Sequence, residues 1–408
     1  MKVLDVTEFY SERGGGVRSH LTLKAEHLAN RGIEHRVIAP GPRDDTVTLF
    51  DTRARAAALR VRGPSLPYDP TYHLLWRVGR VKAAISRERP DVLEINSPYV
   101  AALASLTAQQ RGFGVRTFFW HADFIDTYVR TIAARHVKRA AADVLVRPLW
   151  SFVRGIGRGC AATIATSRGQ ALKLIRHGVP RVVLVPLGVD TLKFTPSRRD
   201  EALRQELLGP GRERATLLVG VGRFAIEKNW ELVLDAFARV RKKRELVLVL
   251  FGDGPERARL RARADQLGCS RAVRFPGFRS RDELAAALAS ADLLVHGCPH
   301  ETFGLSVAEA VASGLPIVVP DAGGAAEVAT DCAEGASSEV FAAGDAEACA
   351  AAIERILERS PARVLDAARA ASQRAPSVAS HFDRLLALYR ELLPTRGAPC
   401  PSMSRSTT

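Results

Sequence analysis

The sequence predicts an α/β protein built from two doubly wound domains facing a cleft. Three observations predict it. At 408 residues the chain is too long for one ordinary core and suits two domains of about 150 to 200 residues each. Short β-branched runs alternate with helix-length segments, the pattern of parallel strands covered on both faces. That rhythm stops near residues 190–213 and then restarts, as a second domain of the same kind requires.

In chain order, the first-domain strands are expected at KVLDV (2–6), EHRVIA (34–39), VLEI (92–95), VRTFFW (115–120), TIATS (163–167) and RVVLVP (181–186). After the polar segment 187–215 come TLLVGVG (216–222), LVLVLFG (246–252), VRFPG (273–277), LLVHG (293–297) and PIVVP (316–320). The expected domains are therefore 1–195 and 196–375. A last apolar helix, VASHFDRLLALYRELL, falls within 376–394. The Pro-, Ser- and Thr-rich residues 395–408 are expected to be disordered.

Composition narrows the function classes. Hydrophobic residues at 47% and charged residues at 25% exclude wholesale disorder and a membrane bundle. No apolar run reaches the roughly 18 residues that span a bilayer, and MKVLDVTEF reads as a strand rather than a leader, so a cytoplasmic protein is expected. Cys160, Cys269, Cys298, Cys332, Cys349 and Cys400 show no metal-ligand spacing, which suits thiols in a reducing compartment, without disulfides or structural zinc.

The net charge of +15 is unevenly placed: residues 1–195 carry 30 Lys and Arg against 16 Asp and Glu, the remainder 29 against 28. The densest stretch, residues 129–158, has seven basic residues against one acid, interleaved with Ile132, Val137, Val144, Trp150 and Phe152. It fits either an anionic membrane surface, with the protein peripheral on the inner face, or a solvated face of an Arg-rich chain. Nucleic acid is not an expected partner, because no basic strand interleaved with aromatics or other reading motif occurs and aromatics are only 6%.

Three glycine-rich turns follow strands: ERGGGVRSH with Gly14, Gly15 and Gly16, GVGRFAIEKN with Gly220 and Gly222, and FGDGPE with Gly252 and Gly254. None matches the dinucleotide fingerprint or the phosphate loop of nucleotide triphosphatases. Arg223 and Lys228 lie five apart directly after the first strand of the second domain. A guanidinium fork and a point-charge ammonium at that position suit a diphosphate.

HETFGLSVAEA (300–310) sets Glu301 and Glu309 eight positions apart. Phe303, Gly304 and Leu305 should open a helix whose free N–H groups aim at the cleft, Gly304 admitting a phosphate closely. Glu301 then reaches the hydroxyls on the distal phosphate's substituent, and Glu309, about two turns in, reaches a ribose. Two acids flanking a diphosphate describe a nucleotide sugar.

GRFAIEKN, FGDGPERARL, HETFGLSVAEAVASGLPIVVPDAGGAAEV and VPLGVDTLKFTP together resemble the retaining group 1 glycosyltransferases of the GT-B fold, those with two glutamates separated by seven residues. The resemblance covers nearly the whole chain. It implies two Rossmann-like domains, a last helix crossing back to the first domain, Gly15 and Gly16 near the donor phosphates and acceptor, and Arg223 with Lys228 as the diphosphate clamp. It also implies Glu301 on the sugar, Glu309 on the ribose, and His121 at the sugar's primary hydroxyl. Bottom-up, a histidine after a buried strand is more often a core or loop residue, and Asp123 and Asp126 are rival polar groups in the same loop. The sequence departs from the family's pattern at HGCPHE, and at CAEGASSEVF, where an apolar strand is usual.

The expected reaction moves a hexose from a nucleotide sugar to an acceptor hydroxyl, with retention implied by the resemblance alone. The acceptor is a glycan or a lipid-linked sugar. No cofactor and no metal is expected, because a cationic clamp can take the place of Mg²⁺. GDP-mannose, UDP-glucose and UDP-N-acetylglucosamine fit the same motifs. A nucleotide-sugar epimerase of the same architecture is the alternative; it needs acid and base groups on both faces of the sugar.

Overall fold

The computed structural model describes residues 1–11, 15–49, 56–67, 69–109, 113–130, 143–333 and 335–394. Gly14, residues 131–142 with their share of the basic stretch, and the tail 395–408 lie outside them.

The first sheet has eight strands in the order β3-β4-β2-β1-β5-β6-β7-β8. They are β1 (Lys2–Val6), β2 (Glu34–Gly41), β3 (Asp45–Thr48), β4 (Ala56–Arg62), β5 (Val92–Ile95), β6 (Val115–Phe119), β7 (Ala162–Ala165) and β8 (Val182–Leu184). Every pair is parallel except β3 with β4 at the edge. The second sheet is wholly parallel, in the order β11-β10-β9-β12-β13-β14. Its strands are β9 (Thr216–Val221), β10 (Leu246–Phe251), β11 (Val273–Gly277), β12 (Leu293–Val295), β13 (Ile317–Pro320) and β14 (Ser338–Phe341). In each sheet the order reverses beside the domain's first strand, β1 or β9, and a doubly wound sheet opens its binding crevice at that switch point.

Burial explains which strands the sequence reveals. All six residues of LVLVLF in β10 are buried, and such a strand reads as an unbroken apolar run. Three strands go unseen by that rule. β4 reads AAALRVR, a helix-like composition, yet it pairs with β2 over seven residues. β3 is an exposed polar edge. β14, SEVF, forms where the sequence departs from an apolar strand, because it borders only β13 and needs little apolar surface. Helix starts are fixed locally: Ser280 and Glu283 make a reciprocal capping box at Arg281–Ser290, and Ser167 caps Arg168–Arg176.

The helix Val378–Leu392 buries Phe382, Leu385, Leu386 and Tyr389 against Val3, Leu28, Val92, Phe119 and Ile164, all of the first domain. Each such side chain contributes roughly 1.5 to 3 kcal/mol on burial, so the last helix is an integral part of the first domain's core. A second tie crosses the cleft, where Glu327 accepts from the backbone N–H groups of Arg168 and Gly169 (2.8 and 2.7 Å) and Arg168 forks onto Asp331 (2.8 and 2.7 Å). No described helix is long and apolar enough to cross a membrane.

Candidate active site

The site is assembled where the two switch points face each other. After β9 the chain turns through a short 3-10 segment, Ile226–Lys228, and buried Trp230 donates its indole N–H to the Arg223 carbonyl (3.0 Å). That bond fixes the turn carrying both cations. The Lys228 ammonium lies 2.5 Å from Glu301 Oε1. Burial would raise the Glu301 carboxyl, but Lys228 and His296 together outweigh it and hold the carboxyl well below the usual range. Burial would likewise lower Lys228, and Glu301 more than reverses this.

Arg223 reaches the other domain. Its guanidinium donates to Asp69 (3.3 Å) and to Glu227 (2.9 Å) and lies 5.8 Å from the centre of the Tyr72 ring. Tyr72 also closes on the first glycine turn, since a Cβ on Gly15 would stand 3.3 Å from its hydroxyl. Gly16 opens the helix Gly16–Asn30. Asp69 and Tyr72 carry no local signal in the sequence. Only the fold brings them to Arg223.

The loop bearing Glu301 is held by close backbone packing. A Cβ on Gly324 would meet the Phe303 Cα at 2.4 Å, and the Gly324 N–H donates to the Glu301 carbonyl (2.7 Å). Gly304 has φ 87° and caps the helix Leu305–Ala312, and a Cβ there would fall 3.0 Å from Ala325 Cα. Its glycine therefore answers to packing and to left-handed backbone. Phe303 is buried in the second domain's core and Leu305 is the first helical residue.

Glu309 is the fifth residue of that helix, little more than one turn in, because residues 301–304 form a loop. It is buried, and Arg281 stands 3.1 Å from its Oε1. Burial raises its carboxyl to about 7, an effect Arg281 only partly offsets. Arg281 is a partner the sequence did not disclose.

His121 follows β6, and its carbonyl accepts from Thr302 Oγ1 (2.8 Å), one residue from Glu301. Thr166 Oγ1 donates to the Thr302 carbonyl (3.0 Å), so two first-domain groups clamp the acid's neighbour. The His121 ring stacks on Phe119 at 4.0 Å, and burial pushes its pKa down to about 3. The rival acids are engaged elsewhere: Lys173 donates to Asp123 (2.5 Å) and Asp126 (2.6 Å). His296 Nε2 lies 3.3 Å from Glu301 Oε1, and the donor atoms of His296, Cys298 and Glu301 fall within 4.8 Å of one another. These are metal-ligand types, and one of them, Glu301, pairs with the Lys228 ammonium.

Two doubly wound domains that meet at their switch points, with basic and acidic side chains between them, form a cleft of the kind that binds nucleotides. The chain belongs to the group 1 glycosyltransferases of the GT-B fold. The family model described as Glycosyl transferases group 1 matches residues 204–375, and that described as Glycosyltransferase Family 4 matches 14–193. A GDP-mannose-dependent alpha-mannosyltransferase of Mycobacterium tuberculosis (strain CDC 1551 / Oshkosh) is 34% identical over 333 residues, covering 81% of this chain and 82% of that one. A GDP-mannose-dependent alpha-(1-6)-phosphatidylinositol dimannoside mannosyltransferase of Mycobacterium tuberculosis (strain ATCC 25177 / H37Ra) is 33% identical over 365 residues, 88% of each chain. Among solved structures, sucrose-phosphate synthase from Thermosynechococcus elongatus superposes with a TM-score of 0.76 at 20% identity, over 96% of this chain and 98% of that one. The Anabaena protein HepE in complex with UDP-glucose gives 0.70 at 20% identity, over 96% and 100%.

Proposed function

We propose that this chain transfers mannose from GDP-mannose to a hydroxyl of a lipid-linked acceptor with retention of anomeric configuration. The Lys228–Glu301 pair at the second switch point carries the reading. The mannosyltransferase relatives support the donor and the glycolipid acceptor. Residues 1–195 form the acceptor side, 196–375 the donor side, and 376–394 the helix that crosses back.

In this mechanism the diphosphate exchanges with the carboxylates that hold Arg223 and Lys228, and their charge then stabilises it as it leaves. Each such interaction is worth roughly 2 to 4 kcal/mol in the transition state. The N–H groups at Phe303, Gly304 and Leu305 add to that charge. Glu301, released from Lys228, takes the sugar hydroxyls, Glu309 takes the ribose, His121 takes the primary hydroxyl, and Gly15 and Gly16 line the acceptor side. The leaving phosphate accepts the acceptor's proton. This mechanism needs no metal ion, so turnover is expected to persist in EDTA. The epimerase alternative loses ground because, of its acid and base candidates His121, Asp123 and Asp126, the two carboxylates are bound to Lys173.

The basic stretch 129–158 is proposed to rest on anionic lipid, with the protein peripheral on the cytoplasmic face. Its described part supports this: Val144, Leu145 and Phe152 are exposed, and Arg147 and Arg158 lie exposed on the helix Arg147–Arg158 that carries Phe152. Trp150 is not available, being buried against His177.

The experiment is transfer from a panel of nucleotide sugars to lipid extracts, followed by mass spectrometry, with the anomeric configuration of the product read by NMR. Mannosylated lipid from GDP-mannose is expected. Transfer from UDP-glucose alone, or an inverted product, contradicts the reading.

A further inference from the structure

The first switch point holds a buried polar chain that the proposed reaction does not use. Lys24, from the helix Gly16–Asn30, places its ammonium 2.9 Å from Asp5, 2.7 Å from Glu94 and 2.9 Å from the Tyr389 hydroxyl, so all three of its donors are engaged. Asp5 also meets His35 Nε2 at 2.5 Å, and Tyr389 donates to Glu94 at 2.6 Å. All these groups are fully buried. Burial would raise the Asp5 carboxyl, but Lys24 and His35 outweigh it and keep it ionised.

An ionised carboxylate only accepts hydrogen bonds. It therefore dictates how its neighbour Asn96 is turned: Asn96 Nδ2 donates to Asp5 (2.7 Å), and the amide oxygen is left facing His121 Nε2 at 2.6 Å. An amide oxygen cannot donate, so His121 must carry its proton on Nε2. Nδ1 is then the ring's acceptor.

We infer that Asn96 is a positioning residue that locks His121 as the neutral Nε2–H tautomer, with Asp5 setting the orientation of the amide and Tyr389 of the last helix bracing the network. The lock presents an Nδ1 lone pair able to accept a hydrogen bond from a substrate hydroxyl, and it withholds a second proton. This rests on the transferase reading for its purpose, though not for its geometry. The groups packed around the ring agree with a neutral imidazole. His20 stands 5.0 Å away in ring centroids, His381 stands 5.2 Å from His20, Lys24 repels a further charge, and Phe119 covers one face. Only Asp5 would favour protonation, and Asn96 stands between it and the ring.

The test combines ¹⁵N-histidine NMR of the full chain with pH–rate profiles for wild type, Asn96→Asp and Asn96→Ala, the His121 signals being assigned with His121→Gln. Wild type is expected to show the Nε2–H pattern, with no titration of His121 between about pH 5 and 9, where an unperturbed histidine would titrate. The nearly isosteric Asn96→Asp replaces the amide donor to ionised Asp5 by a carboxyl, and the added negative charge of the pair should draw a proton towards His121. His121 should then titrate inside that range, with turnover lost at the acid end and recovering as pH rises. Asn96→Ala should mix the tautomers and lower kcat/KM about tenfold. An Nδ1–H pattern in wild type, or an Nε2–H pattern and kcat/KM both unchanged in Asn96→Ala, overturns the assignment. The NMR arm needs no substrate, so it decides the tautomer even if the transferase reading fails, which shows separately as no turnover by wild type.

Discussion

Lys228 and Glu301 are 73 residues apart in sequence, yet the ammonium of one lies 2.5 Å from the carboxylate of the other, where β9 and β12 part. Each group keeps the other charged in a largely buried setting. Glu301→Gln removes the acid with little change of shape. It is expected to leave the fold intact, by circular dichroism and melting, and to lower kcat at least about 100-fold. Turnover near the wild-type value would remove Glu301 from the mechanism.

Glu309 gives a pH dependence whose sign differs for ligand and fold. Its carboxyl is raised from 4.5 to about 7 by burial. A ribose diol donates best to a carboxylate, so the affinity for a nucleotide sugar, whose phosphates do not titrate in this range, should tighten from pH 6 to pH 8 in wild type and stay flat in Glu309→Gln, by titration calorimetry. For the fold, a raised pKa contributes stability that is fully present below the unfolded value and lost as pH rises through about 7. Glu309→Gln should therefore lose less stability than wild type between pH 5 and 8. Glu8 and Glu94, also raised by burial, are common to both proteins and cancel in the comparison.

Lys24→Met tests the buried network beneath His121. Removing the ammonium leaves Asp5 and Glu94 uncompensated in a fully buried place, and a cost of about 3 to 5 kcal/mol is expected in urea unfolding. A loss below about 1 kcal/mol would mean that the network is not held by charge.

Much of this was legible before the structure, for reasons that differ by residue. Strands such as LVLVLF announce themselves because both faces are buried, whereas AAALRVR and SEVF are specified by the neighbours they pair with. Arg223, Lys228, Glu301 and Glu309 were reached through short motifs, and His121 through the family resemblance alone. Asp69, Tyr72, Asn96, Arg281 and His296 were not, since each earns its place through a partner distant in the chain. For Gly304 the sequence suggested phosphate approach, and the structure adds a requirement of its own, the backbone of Ala325.

Membrane contact is tested by co-sedimentation with neutral and anionic vesicles at low and high salt. Each basic residue near an anionic surface contributes about 1 kcal/mol, and salt screens it. Wild type should pellet with anionic vesicles and be released by salt, and a variant with Arg135, Lys138 and Arg139 changed to Gln should pellet less. Equal binding to neutral vesicles would return the stretch to a solvated role.

The central claim is that Arg223, Lys228 and Glu301 form the diphosphate and sugar end of a nucleotide-sugar site. Titration calorimetry of GDP-mannose, UDP-glucose, UDP-N-acetylglucosamine and the matching nucleoside monophosphates, into wild type and Lys228→Ala, tests it most directly. The account predicts that GDP-mannose binds most tightly, that its monophosphate binds far more weakly, and that Lys228→Ala weakens the sugar nucleotide by about 2 kcal/mol. Binding of no nucleotide sugar, or an affinity indifferent to the second phosphate and to Lys228, would contradict it.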